Sequence, residues 1–408
     1  MTGDKVEAAV KVATNEVRFI AQQISRAPTG IHARLTLALD HTILAYSYCN
    51  AERDEERVRL SNSAYSKLGP MVSKLYTKAE FKHDFDLFVW GLWEAWQSTF
   101  KSVEQAGDPL DMEPSFILKP YIMEGGGSIL FSPPGRGKSW MGLVKAICVD
   151  AGVDDFWPVR QTRVMFVNLE RSWQSVRRRI TAINQALGLD PARPLLCFHA
   201  RGKSLADMRE PVARDIKAKG VGLLVLDSLS RTGMGDLNEN RPVNATIDAL
   251  NALCPTWLAL AHTPRGDESH IFGGIHFEAG ADIVVQLQSQ TTPKSLGLGL
   301  QVTKANDMRL PPQEVFRLSF NGFALTAFEK AREKEFGDIE RGRKQPLEQA
   351  VIEYLLDKEK ASATEIAEAT GFNRVNVAKL LLNDNRFTRA EKVGREQLYI
   401  YKAEAKNA

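Results

Sequence analysis

The stretch Ile129-Leu-Phe-Ser-Pro-Pro-Gly-Arg-Gly-Lys-Ser-Trp140 constrains this chain of 408 residues more than any other. A short apolar run, Ile129 to Phe131, meets a Pro/Gly turn that ends in Gly137-Lys138-Ser139. An apolar helical pattern follows at Trp140, Leu143, Val144 and Ile147. Strand, glycine loop and helix form the setting of a phosphate-binding loop, where backbone N–H groups and a helix N-terminus face the anion. Pro134, Gly135, Arg136, Gly137, Lys138, Ser139 and Trp140 are the candidate binding residues. Lys138 supplies a point charge for β- and γ-phosphates, and the Ser139 hydroxyl can ligate Mg²⁺. The usual first glycine of such a loop is Ser132 here.

Length predicts two or three domains, each able to bury its own core. Lys+Arg number 53 against 50 Asp+Glu, a net charge of +3, so any nucleic-acid surface must be local. Cys49, Cys148, Cys197 and Cys254 lie far apart with no C-x-x-C, which fits a reducing cytosol better than a zinc site or disulfide framework. No long apolar span is present, so a cytoplasmic protein without a membrane partner is expected.

Residues 1–106 read as an all-α domain, with Val6, Val10, Val17, Ile20 and Ile24 near helical spacing and a break at Pro28-Thr29-Gly30. Val89, Leu92, Trp93, Trp96 and Phe100 form a stripe that reads as core. A Pro-interrupted linker is expected over 107–127. An α/β domain with a mainly parallel sheet follows over 128–328, its strands expected at 129–131, 163–169, 221–226, 256–261, 282–287 and 298–303. Asn321-Gly322 between alternating segments predicts an antiparallel hairpin that closes the sheet. Residues 329–345 read as a charged linker. Residues 346–408 carry a helix, a Ser362–Glu365 capping box, a turn at Gly371, a third helix capped by Asn373 and two short strands, the order of a winged helix-turn-helix.

Ligands of parallel sheets bind beyond the carboxyl ends of the strands. Glu170, Asp227 and His262 each follow an apolar strand there. Asp227 suits a magnesium-holding acid, or a helix cap. Glu170 can orient and deprotonate an attacking water, or face the dipole of the following helix. His262 can sense the γ-phosphate, or be a hydrogen-bonded core histidine.

Taken as an ordered set, Pro133-Pro-Gly-Arg-Gly-Lys-Ser-Trp140, Val167-Asn-Leu-Glu170 with Arg177 to Ile180, Leu224-Val-Leu-Asp-Ser228, Ala261-His-Thr263, Gly273-Gly274 through Ala281 to Leu287, and Val302-Thr-Lys304 resemble RecA-fold ATPases, nearest the RepA-like branch beside the DnaB-like hexameric helicases. The resemblance covers about 115–328. It implies a RecA-like P-loop domain that hydrolyses ATP with Mg²⁺ at subunit interfaces of a homo-oligomer, by expectation a hexamer. Glu170 would be the base, Asp227 would lie near magnesium and His262 would be the sensor. Lys304 matches the family's basic residue that reaches a neighbour's γ-phosphate. The arginine usually found two residues on is Asn306 here, with Arg309 displaced.

In such a ring the loops after 227 and 262 face the channel, where Arg231, Arg265, His270, Phe272 and His276 suit single-stranded DNA or form ordinary surface loops. Arg374, Asn376 and Lys379 on the third C-terminal helix, with Arg395 at the wing, suit duplex DNA. Ten Lys/Arg against ten Asp/Glu over 345–408 leave a protein-docking wing open. The expected function is an ATP-driven motor on DNA, a replicative helicase of a plasmid, phage or mobile element. The alternatives are a RecA-like recombination or DNA-remodelling ATPase and an ATP-switched DNA-binding regulator.

Overall fold

Residues 5–50 form four strands joined by turns, where the sequence reading expects helix. The computed structural model describes residues 5–107, 113–264, 267–273, 276–322, 324–337, 339, 347–370, 372–384, 386–393 and 396–402. The chain divides into two compact units after Leu110. In the first, β1 (Lys5–Val12), β2 (Asn15–Ala27), β3 (Gly30–Leu39) and β4 (Thr42–Asn50) form an antiparallel sheet in chain order. Val6 and Val10 stand four apart, a spacing that helix and strand share. Ala8 and Val12 fill the same face at every second position, so period two wins. Val17, Phe19 and Ala21 continue that alternation in β2 with no exposure above 1%. Pro28 and Thr29 make the turn that joins β2 to β3.

Helices follow as α1 (Asp54–Tyr65), α2 (Pro70–Leu75), α3 (Lys78–Trp90) and α4 (Leu92–Gln97). Thr77 caps α3 in a reciprocal box with Glu80. Phe81 and Phe85 pack on Phe19, each ring centroid 5.6 Å away. Val89 and Leu92 are buried, and Trp93 and Trp96 pack on the same cluster, so this part of the stripe is core, whereas Phe100, beyond the end of α4, is 62% exposed. Under it Arg57 Nε donates to Asp86 Oδ1 at 2.9 Å and Arg57 Nη1 donates to the Ala51 carbonyl at 2.9 Å.

The second unit starts with a hairpin where a linker is expected. Its strands β5 (Phe116–Leu118) and β6 (Ile122–Met123) bury Ile117, Leu118, Tyr121 and Ile122. The alternating run is then β7 (Gly127–Ser132), α5 (Lys138–Ala151), β8 (Val164–Asn168), α6 (Trp173–Ala186), β9 (Leu196–His199), α7 (Leu205–Lys219), β10 (Leu223–Asp227), α8 (Asn240–Leu253), β11 (Trp257–His262) and α9 (His276–Gly280). After these come β12 (Ile283–Thr291), β13 (Ser295–Ala305), β14 (Glu314–Asn321) and β15 (Ala324–Ala331). The sheet has the order β15-β14-β13-β12-β7-β11-β10-β8-β9. From β12 to β9 all neighbours are parallel, and β13 to β15 add an antiparallel meander turned at Asn321-Gly322.

Residues that alternate along each strand serve opposite faces. Leu130, Phe166, Val225 and Leu260 pack with α5 and α6, while Phe131, Val167, Leu226 and Ala259 pack with α7 and α8. Both faces are thus covered, which is why these strands read as continuous apolar runs.

The expected charged linker is partly structural, because Phe336 and Ile339 are buried against Val315. Further on lie α10 (Leu347–Lys358), β16 (Ala361–Ser362), α11 (Ala363–Thr370), α12 (Arg374–Asn383), β17 (Phe387–Val393) and β18 (Glu396–Tyr401). The three strands pair in the order β16-β18-β17, giving a winged-helix-like arrangement. Among the described residues no helix is long and apolar enough to cross a membrane.

Arg57 and Asp86 are 7% and 6% exposed, so removing the guanidinium strands a buried carboxylate. Arg57→Ala should cost about 3 kcal/mol, near the low end for a broken buried pair because Lys82 still faces Asp86. Urea unfolding of the full chain, read by amide exchange in the strands β1 to β4, measures it. A loss under about 1 kcal/mol would make the pair equivalent to a surface bridge.

Candidate active site

The loop between β7 and α5 closes because two glycines take left-handed backbone angles, φ 81° at Gly135 and 98° at Gly137. A Cβ on Gly137 would also lie 2.9 Å from a Leu298 methyl. The Lys138 amine folds back on this loop. Lys138 Nζ donates to the carbonyls of Ser132 at 2.6 Å and Pro133 at 2.9 Å, and to the Ser132 hydroxyl at 3.2 Å. Burial pushes the amine down to about 8, against the pull of Asp227 and Glu170.

Parallel neighbours bring the strand ends together. The cleft has a volume of about 480 Å³, and its walls include Lys138, Ser139, Glu170, Asp227 and His262. Gly135, Gly137 and Trp140 also line it. Arg136 is exposed, 3.8 Å from Glu268, and Pro134 is exposed beside it.

Asp227, at the end of β10, is 3% exposed, and burial raises its carboxyl above the ordinary range. Its Oδ2 is buried with no hydrogen-bond partner among the described residues. Arg171 Nε lies 3.9 Å from that oxygen and donates to Ser139 Oγ at 3.2 Å. The guanidinium thus stands as a cation between the two groups expected to hold Mg²⁺, and the donors fit that ion. Among the described residues no cluster of three or more His, Cys, Asp or Glu exists, so phosphate and water oxygens would complete the shell.

Glu170 lies outside α6, whose N-cap is Ser172. The helix-dipole alternative therefore does not hold it. Its Oε1 accepts from the Ser228 hydroxyl and, at 2.9 Å, from the Ser230 hydroxyl. His262 Nε2 stands 3.8 Å from the same oxygen. His262, then the two serines, hold the carboxyl down to about 2 against the opposing effect of burial. A carboxylate stabilised in this way is a weak base, so these contacts hold Glu170 at rest.

Asn168 fixes the turn that carries Glu170. Its Nδ2 donates to the Arg171 carbonyl at 2.7 Å and its Oδ1 accepts from the Arg171 N–H at 2.9 Å. Asn168 lies within the Val167–Glu170 motif, but its clamp depends on tertiary geometry.

The cleft also holds cations of its own. Arg171, Arg179 and Lys294 line it, the last from the tip of the β12–β13 hairpin. Burial, with Arg171 nearby, lowers the Arg179 guanidinium to about 10, and it lies 4.7 Å over the Trp140 ring. Arg179 belongs to the Arg177–Ile180 stretch, whereas no sequence pattern marks Lys294.

Lys304 is placed elsewhere. It opposes Val284, which pairs with Ile129 near the start of β7, and its amine donates to the carbonyls of Glu278, Ala279 and Ala281 at 2.6–3.1 Å. It thus closes the C-terminal end of α9. Arg309 is exposed on the loop after β13. Arg231 lines a neighbouring cleft rather than this one. Arg374, Asn376 and Lys379 are exposed on α12. Arg265 and Arg395 fall outside the described residues.

Residues 97–266 match the family model of an AAA domain. No curated protein matches the chain. Among solved structures, a KaiC-like protein of the hyperthermophilic archaeon Pyrococcus horikoshii OT3 is 16% identical, covering 57% of this chain and 100% of that one at a TM-score of 0.38. The matched segment and the strand–loop–helix geometry support a P-loop NTPase-like core, the kind of domain that binds and hydrolyses ATP.

The cleft confines a cation that a triphosphate would neutralise. Lys138→Met should leave the protein without nucleotide at least as stable at pH 7, because a desolvated charge is gone. Saturating MgATP should raise the melting temperature of wild type, by about 2.7 kcal/mol of added stability at a hundredfold excess over Kd, and leave the variant unmoved. Thermal melting with and without MgATP reads this. Equal ATP stabilisation of both proteins would remove Lys138 from the phosphate site.

Proposed function

We propose that this chain is a multimeric ATP-driven motor acting on DNA, a replicative helicase of a plasmid, phage or mobile element. The convergence of Lys138, Ser139, Asp227, Glu170 and His262 on one cleft carries the ATP half of that reading. Lys138 would exchange its three loop acceptors for β- and γ-phosphate oxygens. Ser139 and Asp227 would hold Mg²⁺ once Arg171 withdraws, and the bound ion would neutralise charge on the transferred phosphoryl group. Glu170, once free of the serines, would take the proton of the attacking water. His262 touches Glu170 and heads the loop after β11, a position suited to pass the nucleotide state onward.

The DNA half rests on two features. Asn376 and Lys379 share the exposed side of α12, the second helix of a helix-turn-helix, as major-groove readers do, while the exposed Arg374 at its start donates from Nε to the Thr364 hydroxyl at 3.0 Å. Arg231 is exposed on the loop after β10. For assembly, the three carbonyl bonds of Lys304 favour Arg309 as the cation offered to a neighbouring subunit. The serine-restrained Glu170 favours a second reading, a slowly hydrolysing ATP switch that controls DNA binding through the C-terminal domain.

Glu170→Gln should retain ATP binding and lose about 10²–10⁴ in turnover, the range for a general base. Wild type should unwind a forked duplex in MgATP, and the variant should bind the fork without unwinding it. ATP-dependent binding with no strand displacement by wild type would favour the switch over the motor. Turnover by Glu170→Gln at the wild-type rate would remove the base assignment.

Removing 346–408 should leave ATP turnover in place and weaken duplex binding, with a shallower dependence on salt as phosphate contacts are lost. Duplex affinity and salt slope equal to those of the full chain would instead make the C-terminal domain a protein-docking module.

A further inference from the structure

A second cleft, with a volume of about 540 Å³, shares Glu170 with the first. It opens beyond β9 and β10, and its walls carry Arg201 and Lys203 from one loop and Ser230 and Arg231 from another. All three cations are exposed, and none forms an ion pair with a described carboxylate. Asp207, in the first turn of α7, also lines the cleft; its carboxylate accepts from the Ser204 hydroxyl at 2.7 Å and the Ser204 N–H at 3.2 Å and is further stabilised by the nearby charge of Lys203, which leaves Arg201 and Arg231 uncompensated by it. Three such cations around a concave space favour an anion with several oxygens.

The two loops are mechanically joined. The Ala206 N–H donates to the Thr232 carbonyl at 2.9 Å. Gly233 packs so closely on Ser204 that a Cβ there would lie 2.4 Å from the serine Cβ. Leu229–Arg231 forms a single 3₁₀ turn, so displacement of Arg231 carries Ser230 with it. Ser230 is one of the two hydroxyls that hold Glu170.

We infer that Arg201, Lys203 and Arg231 form a regulatory site for phosphate groups, whose occupation draws the Ser228–Ser230 turn off Glu170 and releases that carboxylate for hydrolysis. The inference rests on Glu170 acting as the base. The ligand chemistry is the phosphate group, supplied either by the backbone of single-stranded nucleic acid or by free orthophosphate. Glu170 then forms the common wall between a cleft that consumes ATP and a cleft that senses a phosphate-bearing ligand.

The test uses the full chain, the double variant R201A/K203A and, separately, Ser230→Ala. Both sites are on exposed loops, and circular dichroism with thermal melting checks that each variant is folded. Anisotropy of a fluorescein-labelled single-stranded oligonucleotide gives affinity against salt, with orthophosphate as competitor. ATP turnover is measured alone, with unlabelled oligonucleotide and with orthophosphate.

The double variant should keep the basal turnover of wild type and lose its stimulation. Its salt slope for oligonucleotide binding should fall by about 1.4, the share of two phosphate contacts on a single strand. Ser230→Ala should raise basal turnover and shrink the stimulated increment. Stimulation by the oligonucleotide alone identifies the backbone as the source; equal stimulation and competition by orthophosphate identifies the free anion. Either result supports the site when R201A/K203A abolishes it. Wild-type stimulation and slope in the double variant, failure of wild type to bind either probe, or Ser230→Ala with both rates unchanged would overturn it. A wild type that binds the oligonucleotide through these residues yet never hydrolyses ATP would overturn the ATPase reading, and the control of Glu170 with it, while the phosphate site stood.

Discussion

A desolvated ammonium sets the terms for the whole cleft. Lys138 is buried at the start of α5, with two backbone carbonyls and one hydroxyl as its acceptors. None of these carries a charge, and Asp227 and Glu170 act on it only at longer range. An ammonium so placed is tolerated because the fold places opposite charge nearby. The strand order does that, since β7 lies between β11 and β12, β10 lies next to β11 and β8 next to β10. The register pairs Ser132 with His262 and Asp227 with Asn168, so phosphate loop, acid and base turn end at one level. The apolar alternation that covers both faces of the sheet is thus also what assembles the site.

Two contacts in the cleft restrain its acidic groups at rest. Arg171 stands between Ser139 and Asp227, and the serine turn restrains Glu170. Both contacts stabilise the resting protein, and in the proposed reaction both would give way before hydrolysis. Catalytic groups that are engaged at rest give a site whose turnover can be governed from outside it. The turn at 228–233 is the natural control point, because it touches Glu170 on one side and the loop at 201–204 on the other.

Much of this site is legible in the sequence, for a simple reason. Parallel strands buried on both faces are continuous apolar runs, and the first polar residue after each run marks the ligand end of the sheet. That rule finds Glu170, Asp227 and His262 from residue order alone. It cannot find Arg171, Arg179 or Lys294, whose positions depend on how α6 and the β12–β13 hairpin fold over the loop. Lys304 is singled out by the family resemblance and not by this rule, and its three carbonyl acceptors by α9 depend on tertiary packing that residue order does not show. The N-terminal unit is misread because valines four apart satisfy both periods, and only the small Ala8 between them distinguishes strand from helix. The tryptophan stripe of α3 and α4 is legible as core, although Gly91 divides it between two helices.

The central claim is that the Lys138 ammonium, weakened by burial in the cleft, is the group that receives the nucleotide phosphates. Its direct test is proton uptake on binding. Calorimetric titration of a non-hydrolysable MgATP analogue, repeated near pH 9 in buffers of different ionisation enthalpy, gives the number of protons taken up. With the amine at about 8 before binding, wild type is largely deprotonated at that pH and should take up close to one proton as phosphate restores the charge, falling toward zero near pH 7. Binding of the analogue with no proton uptake at pH 9 would contradict the account.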